Sequence, residues 1–292
     1  MIWRLRGETG CFRYGKIILI FSLTVSLPFL MSCGKEPEYK DPADVVAVRD
    51  LNVKTSTTFQ TIAGFGGANQ MWGTQFPSKE EIGKAFDDGE SGLGFSIFRV
   101  RIASNPEEWP LIIEVAKEAQ SYGAIILASP WSPPIWMKSN NSSIGGSLLP
   151  IYYKSYASYF VHYIKAMKQE GINIEFISIQ NEPLHDGNNP SLYMPADEQA
   201  AFIKQGLGPR FEQAGIETKV LIYDHNVDRI DYPISILDDD EANKYVYGSA
   251  FHLYGGDIAD ISKVHSSHPD KHIYFTEQWY GAPGNFSEDL KW

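Results

Sequence analysis

Cysteine is nearly absent from this chain: of 292 residues only Cys11 and Cys33 are Cys. Thiolates for a structural zinc site are therefore missing, and no disulfide framework can form within the folded body. Basic charge is also scarce. Lys and Arg number 25 against 36 Asp and Glu, a net charge of −11, which excludes a surface built to neutralise nucleic-acid phosphates. No HExxH motif or paired-His spacing announces a metal, and no GxSxG elbow announces a serine hydrolase. The "GFGG" of residues 64–67 lacks both the GxGxxG spacing and a Walker lysine, so it reads as tight turning below a cleft. These absences leave chemistry that needs neither metal nor organic cofactor.

What is present begins at the N-terminus. Arg13 and Lys16 precede the apolar run "IILIFSLTVSLPFLM" (17–31), followed by Ser32 and Cys33. At about 15 residues the run is short of the roughly 20 that span a bilayer, and its basic front and small residue before a cut site match a secretory signal. "LMSC" looks like a bacterial lipobox, in which Cys33 becomes the lipidated first residue. The alternative is an ordinary signal with an incidental Cys. Cys11 would leave with the signal, residues 1–33. The polar stretch 34–44 reads as a flexible tether, and the absence of Asp after Cys33 favours, by resemblance to bacterial lipoproteins, the outer membrane. The expected location is thus secreted and lipid-anchored.

From about Thr58 the sequence alternates apolar, strand-like runs with helical segments. Seven strands are expected, at 61–69, 95–102, 124–130, 174–181, 219–224, 245–254 and 272–277. Helices with apolar residues at helical spacing and a terminal Gly fall at 106–123 and 151–171. This alternation predicts βαβ units and a parallel sheet. Strands so continuously apolar fit a (β/α)8 TIM barrel, of which seven strands are readable, better than an open sheet.

Catalytic groups of such barrels come from the C-terminal ends of strands. Those ends carry Asn69, Arg99 and Arg101, Trp131, Asn181 with Glu182, Asp224 with His225, His252 with Tyr254, and Glu277. A carboxylate at the end of a buried strand costs desolvation energy unless hydrogen bonds or a substrate offset it. A single Glu there could equally cap a helix or form an ion pair. Two of them, ending the fourth and seventh strands, point instead to glycoside hydrolysis, in which one carboxyl protonates the leaving oxygen and the other attacks the anomeric carbon or activates water. Aromatics at 13% of the chain fit either core filling or stacking on sugar rings.

Six segments in order, "TIAGFGGAN", "ASPWSPPIWMKSN", "GGSLLPIYYKSYASYF", "ISIQNEP", "AFHLYGG" and "YFTEQW", resemble glycoside hydrolase family 30, a retaining (β/α)8-barrel family, over about residues 58–292. The resemblance implies that Glu182 is the general acid/base and Glu277 the nucleophile, with carboxyls about 5–5.5 Å apart. It further implies that Asn181 binds the sugar 2-hydroxyl, Tyr254 hydrogen-bonds Glu277, Trp131 walls the cleft, and Arg99 lies near the nucleophile. Arg101, two residues on, faces the same side and could be confused with Arg99. Trp136 and Trp279 either line the cleft or pack its rim. His252 is expected beneath Tyr254; Asp224 and His225 either contact leaving-group sugars or, for Asp224, cap a helix; Asn69 either faces the cleft or serves a turn.

Family members add an eighth strand and a β-sandwich to which an N-terminal strand contributes. Residues 45–59 resemble that strand, with the catalytic barrel at 60–292. Nothing in the sequence matches the eighth strand, so the expected reading is a piece of a longer protein. The other reading is an incomplete barrel with an exposed edge. "SPPIWMKSNNSSIGGSLLP" resembles the glucanase and glucosylceramidase branches more than the xylanases. "YDHN", "AFHLYGG" and "FTEQWYGAPGNF" most resemble the bacterial endo-β-1,6-glucanase branch, whereas "GFGGANQMW" and "LGFSIFRVRI" lean toward the xylanases. The expected activity is retaining hydrolysis of a polysaccharide, foremost a β-1,6-glucan. The rival of another class is a non-catalytic carbohydrate-binding surface lipoprotein.

Overall fold

The structure, a computed structural model, describes residues 54–69 and 76–279. The chain divides into two compact units, Arg4–Ile62 and the body from Ala63 onward. In the first unit, the expected signal, Cys33, the tether and residues 45–53 lie outside the described residues. Residues 54–59, expected to be part of a strand, instead carry a turn in which the Thr57 N–H donates to the Lys54 carbonyl at 3.1 Å. Strand geometry needs a neighbour to take its backbone groups, and none pairs with this stretch among the described residues.

In the body all seven expected strands form: β1 (Gly66–Ala68), β2 (Ile97–Ile102), β3 (Ile125–Pro130), β4 (Ile174–Ser178), β5 (Lys219–Asn226), β6 (Gly248–His252) and β7 (His272–Glu277). They pair in chain order, each parallel to the next. The "GFGG" stretch is not a turn, as the sequence reading had it. Gly66 and Gly67 lie inside β1, and a Cβ on Gly66 would sit 1.9 Å from the Ile97 carbonyl oxygen. Glycine there permits close approach of two backbones.

The sheet curls as an incomplete barrel does: among the described residues no ladder joins β7 back to β1. A flat sheet would hold β2 and β7, five spacings apart, ~24 Å from each other. Instead Arg99 on β2 touches Glu277 on β7 at 2.5 Å. Helices cover the outside. Residues 106–121 run first as a 3-10 turn (Pro106–Ile112), with Asn105 capping the Glu107 N–H at 3.1 Å, and then as an α-helix (Ile113–Ser121). Pro110 has no N–H for an α ladder, which suits the tighter opening turn. The helix Tyr153–Gln169 buries Tyr156 and Phe160 beside Phe202 and Tyr163 beside Trp109, and stops before Gly171, whose φ of +80° suits a C-terminal glycine. A smaller apolar layer, Leu127, Phe176, Leu221 and Ala250, fills the barrel interior itself.

Candidate active site

Two residues above that apolar layer, one full pleat along each strand, the interior turns polar. Arg99 follows Ile97, Ser129 follows Leu127, Ser178 follows Phe176, His252 follows Ala250, and Thr276 follows Tyr274. On β5 the alternation breaks. Tyr223 and Asp224 both have positive φ (71° and 63°), and the register with β6 shifts between Tyr223 and His225. This bulge turns Tyr223 outward onto Tyr232 and Phe251 and delivers Asp224 to the barrel axis in its place. A second shift, between Phe251 and His252, lets β7 aim both Thr276 and Glu277 at the same region.

Asp224 is fully buried and becomes the hub. It accepts from Arg99 Nη2 at 3.0 Å, Ser178 Oγ at 2.5 Å, Thr276 Oγ1 at 2.5 Å and His252 Nε2 at 3.1 Å. Burial alone would raise this carboxyl, but the Arg99 guanidinium and the His252 contact hold it far below the usual carboxylate range. His252 is also fully buried. Burial would lower it, yet hydrogen bonds to Asp224 and to Glu182 (Nδ1 to Oε1, 3.3 Å) raise it to about 9. The imidazole is therefore an imidazolium at neutral pH, donating from both nitrogens.

Arg99 extends the network to the other glutamate. Its Nε donates to Ser129 Oγ at 3.1 Å, its Nη2 to Asn181 Oδ1 at 2.8 Å and its Nη1 to Glu277 Oε2 at 2.5 Å, while the guanidinium lies 5.0 Å from the Trp131 ring centre. Charge thus alternates along Glu182, His252, Asp224, Arg99 and Glu277. Arg101 instead pairs with Glu108 at 2.6 Å, which separates the two arginines that strand alternation alone left confusable.

Glu182 sits in a left-handed conformation (φ 48°) directly before Pro183, a combination disfavoured for a non-glycine residue, and its N–H bonds the Asp224 carbonyl at 2.9 Å. The strained turn lets the chain leave β4 while the carboxyl faces the barrel mouth. Asn188 Nδ2 holds Glu182 Oε2 at 2.6 Å. Burial pushes the Glu182 carboxyl up, but contacts with His252 outweigh it, and the net displacement is downward. Glu277 accepts from the Tyr254 hydroxyl at 3.0 Å, whose own pKa burial and the Glu277 charge push up; that oxygen also accepts the Trp279 N–H at 2.8 Å.

The structure brings Arg99, Asn181, Glu182, His252, Tyr254 and Glu277 into one array, with Trp131 against Arg99. Trp279 joins it through its backbone, and its side chain is 73% exposed. Asn69 is buried at the end of β1, its N–H bonded to the Arg99 carbonyl and both polar side-chain atoms without partners. Asn181 Nδ2 is likewise buried and unpartnered. Such groups are costly unless a ligand satisfies them. Trp136 lies apart, packed edge-on against Tyr152.

Sequence reasoning missed Ser129, Ser178, Thr276 and Asn188, and it left the part played by Asp224 open. The three hydroxyls were findable as small polar residues one pleat above an apolar interior position. Asp224 was hidden by the bulge. His252 does lie under Tyr254, ring centres 6.0 Å apart, but its main contacts are the two carboxylates. A group able to ligate a metal is also assembled, from Glu182, His225 and His252 at the ends of three different strands. Sequence spacing could not show it.

Comparison with known proteins gives a consistent picture. An endo-1,6-beta-D-glucanase of Neurospora crassa is 34% identical over 205 residues, 68% of this chain and 42% of that protein. The glucuronoxylanase XynC of Bacillus subtilis strain 168 is 30% identical over 255 residues, 84% of this chain and 58% of that protein. The solved structure of the endo-beta1,6-glucanase BT3312 superposes with a TM-score of 0.71 at 33% identity, covering 78% of this chain and 60% of that one. The chain therefore spans about half the length of such relatives. Residues 84–289 match the model of the glycosyl hydrolase family 30 TIM-barrel domain, and with the barrel and its two strand-end glutamates in place, the chain belongs to that family.

Proposed function

We propose that this protein is a retaining glycoside hydrolase that cleaves β-1,6-glucan by double displacement. The observation that carries the reading is the alternating-charge array binding Glu182 and Glu277 into one unit at the barrel mouth. Glu277, oriented by Arg99 and Tyr254, attacks the anomeric carbon. Glu182 gives its proton to the departing glycosidic oxygen, leaving a glycosyl ester on Glu277. Glu182 then takes a proton from water, which attacks the same carbon and frees the sugar. Asn181 Nδ2, buried without a partner, donates to the sugar 2-hydroxyl, and Trp131 walls the reacting ring. In the chain alone the Glu182 carboxyl stands below its ordinary value, because the contacts led by His252 outweigh burial. A sugar ring that excludes water strengthens the burial effect and moves it upward, toward the protonated form the first step needs.

The β-1,6-glucan assignment draws on the glucanase-like motifs and on the glucanase relatives. The 30% identity to a glucuronoxylanase over 84% of the chain supports xylan as the second reading. The test is hydrolysis by the product of the full-length gene. Pustulan, a β-1,6-glucan, is cut and Glu277→Ala abolishes cutting. Activity on xylan alone would overturn the substrate, and hydrolysis indifferent to Glu277→Ala would overturn the mechanism. No hydrolysis of any glycan would leave the carbohydrate-binding lipoprotein in its place. We further propose export with a lipid on Cys33 and outer-membrane anchoring, based on the lipobox-like "LMSC". Cys33→Ala then moves the protein from the membrane fraction to the soluble one, and unchanged membrane association would rule the anchor out.

A further inference from the structure

We propose that the ends of β4, β5 and β6 form a site for a divalent transition-metal ion of the zinc type, ligated by Glu182, His225 and His252, and that its occupation switches hydrolysis off. The second half rests on the hydrolase reading; the first does not. Ligand atoms of the three side chains lie within 4.8 Å of one another. Donors around a tetrahedral ion at ~2.1 Å stand about 3.4 Å apart. Glu182 Oε1 and His252 Nδ1 are already 3.3 Å apart, so the ion takes the place of the proton between them, which is released to solvent. Only the third corner has to close, by at most roughly 1.4 Å.

The surroundings are those of a metal site. His252 Nε2 is held at 3.1 Å by the Asp224 carboxylate, itself fixed by Arg99, Ser178 and Thr276, which is the carboxylate–histidine–metal arrangement that orients an imidazole ligand. Asn188 occupies Glu182 Oε2, leaving Oε1 toward the histidines. His225 is 8% exposed, and its Nδ1 is buried with no hydrogen-bond partner. Three carboxylates (Glu182, Asp224, Glu277) face one guanidinium and one imidazolium, so the local balance is still negative and favours a cation. Two imidazoles and one carboxylate suit zinc, copper(II) or cobalt rather than calcium or magnesium, and three protein ligands leave a position open to water or sugar. A metal on Oε1, with Asn188 on Oε2, takes the oxygen from which the glycosidic bond would be protonated.

Cobalt(II) and zinc titrated into the full-length protein provide the test. One ion per chain is expected, with X-ray absorption of the native protein showing two imidazole ligands. His225→Ala should weaken binding by at least about 100-fold, since losing even an outer-shell partner costs ~10–100-fold. Zinc should stop pustulan hydrolysis and chelation restore it. No stoichiometric binding, fewer than two imidazoles, or equal affinity in a folded His225→Ala would overturn the site. The absorption result decides even if that variant fails to fold. Undiminished hydrolysis with the ion bound would overturn the switch. Binding by a protein that cuts no glycan would uphold the site and refute the hydrolase reading.

Discussion

Two layers of one barrel, a single pleat apart, differ in every property that matters. The lower layer, Leu127, Phe176, Leu221 and Ala250, is apolar and closely packed, with the Phe176 and Tyr274 rings 5.0 Å apart. The upper layer, Arg99, Ser129, Ser178, Asp224, His252 and Thr276, contains almost nothing but hydrogen bonds and charge. The same strands supply both, so the difference comes from which residue falls on each inward-facing position. Burying the lower layer is favourable in itself, at roughly 25 cal/mol per Å² of apolar surface. The upper layer bears a desolvation cost that its internal contacts offset only while complete. One layer holds the curled sheet together; the other is held in place by it, and carries the two glutamates.

Asp224→Ala should break the comparison most severely. It leaves the Arg99 guanidinium and the His252 imidazolium buried without their shared carboxylate, a loss of about 3–5 kcal/mol for a broken buried pair. Both glutamates lean on that hub through one intermediary each. The variant that remains folded should therefore also lose kcat by about 100-fold, the order expected when a reacting group is displaced by ~1 Å. Urea unfolding and pustulan kinetics on the same preparation check this, and a variant as stable and active as the parent would show that the hub is dispensable.

Leu221→Ala, one pleat below, should separate stability from function. Cavity formation at a fully buried leucine costs ~2–5 kcal/mol, while no side chain of the charged array loses a partner. The midpoint of unfolding should fall, and kcat of the folded fraction should stay that of the parent. A proportionate loss of kcat would mean that the two layers are not separable.

The lower layer was legible in the sequence because near-continuous apolar runs of parallel strands have few alternatives, and all seven strands formed where those runs lie. The upper layer was legible only where a residue type is conspicuous. Glu182, Glu277, Arg99 and Asn181 stood out as polar groups at strand ends. Ser129, Ser178 and Thr276 did not, since a hydroxyl in a strand is ordinary until its neighbours across the barrel are known. Asp224 was hidden for a different reason: two consecutive positive-φ residues break the two-residue period on which any inward or outward assignment depends. The local rule fails where the site needs it to, and the bulge that defeats it delivers the hub of the array.

The smallest effect expected is a pH dependence of stability that arises in the upper layer and at His225 beside it, and not in the apolar layer below. His252 is raised to about 9 from an ordinary 6.5, so between these values the native state holds more protons than the unfolded one. Its contribution is complete below about 6.5 and is lost as pH rises through about 9. His225, whose ring centre lies 6.4 Å away, goes the other way. Burial lowers it to about 4, so between about 4 and 6.5 the unfolded chain binds the extra proton and stability falls as pH falls. Thermal melts with a chelator present should therefore peak near pH 6.5. In Leu221→Ala the whole curve should drop without changing shape, because that layer does not titrate. In His225→Asn the alkaline limb should persist, while acid loss should begin only where the lowered carboxyls of Glu182 and Asp224 start to matter, as their unfolded counterparts titrate near pH 4. An acid limb unchanged by that substitution would assign it to the carboxylates alone and remove His225 from the account.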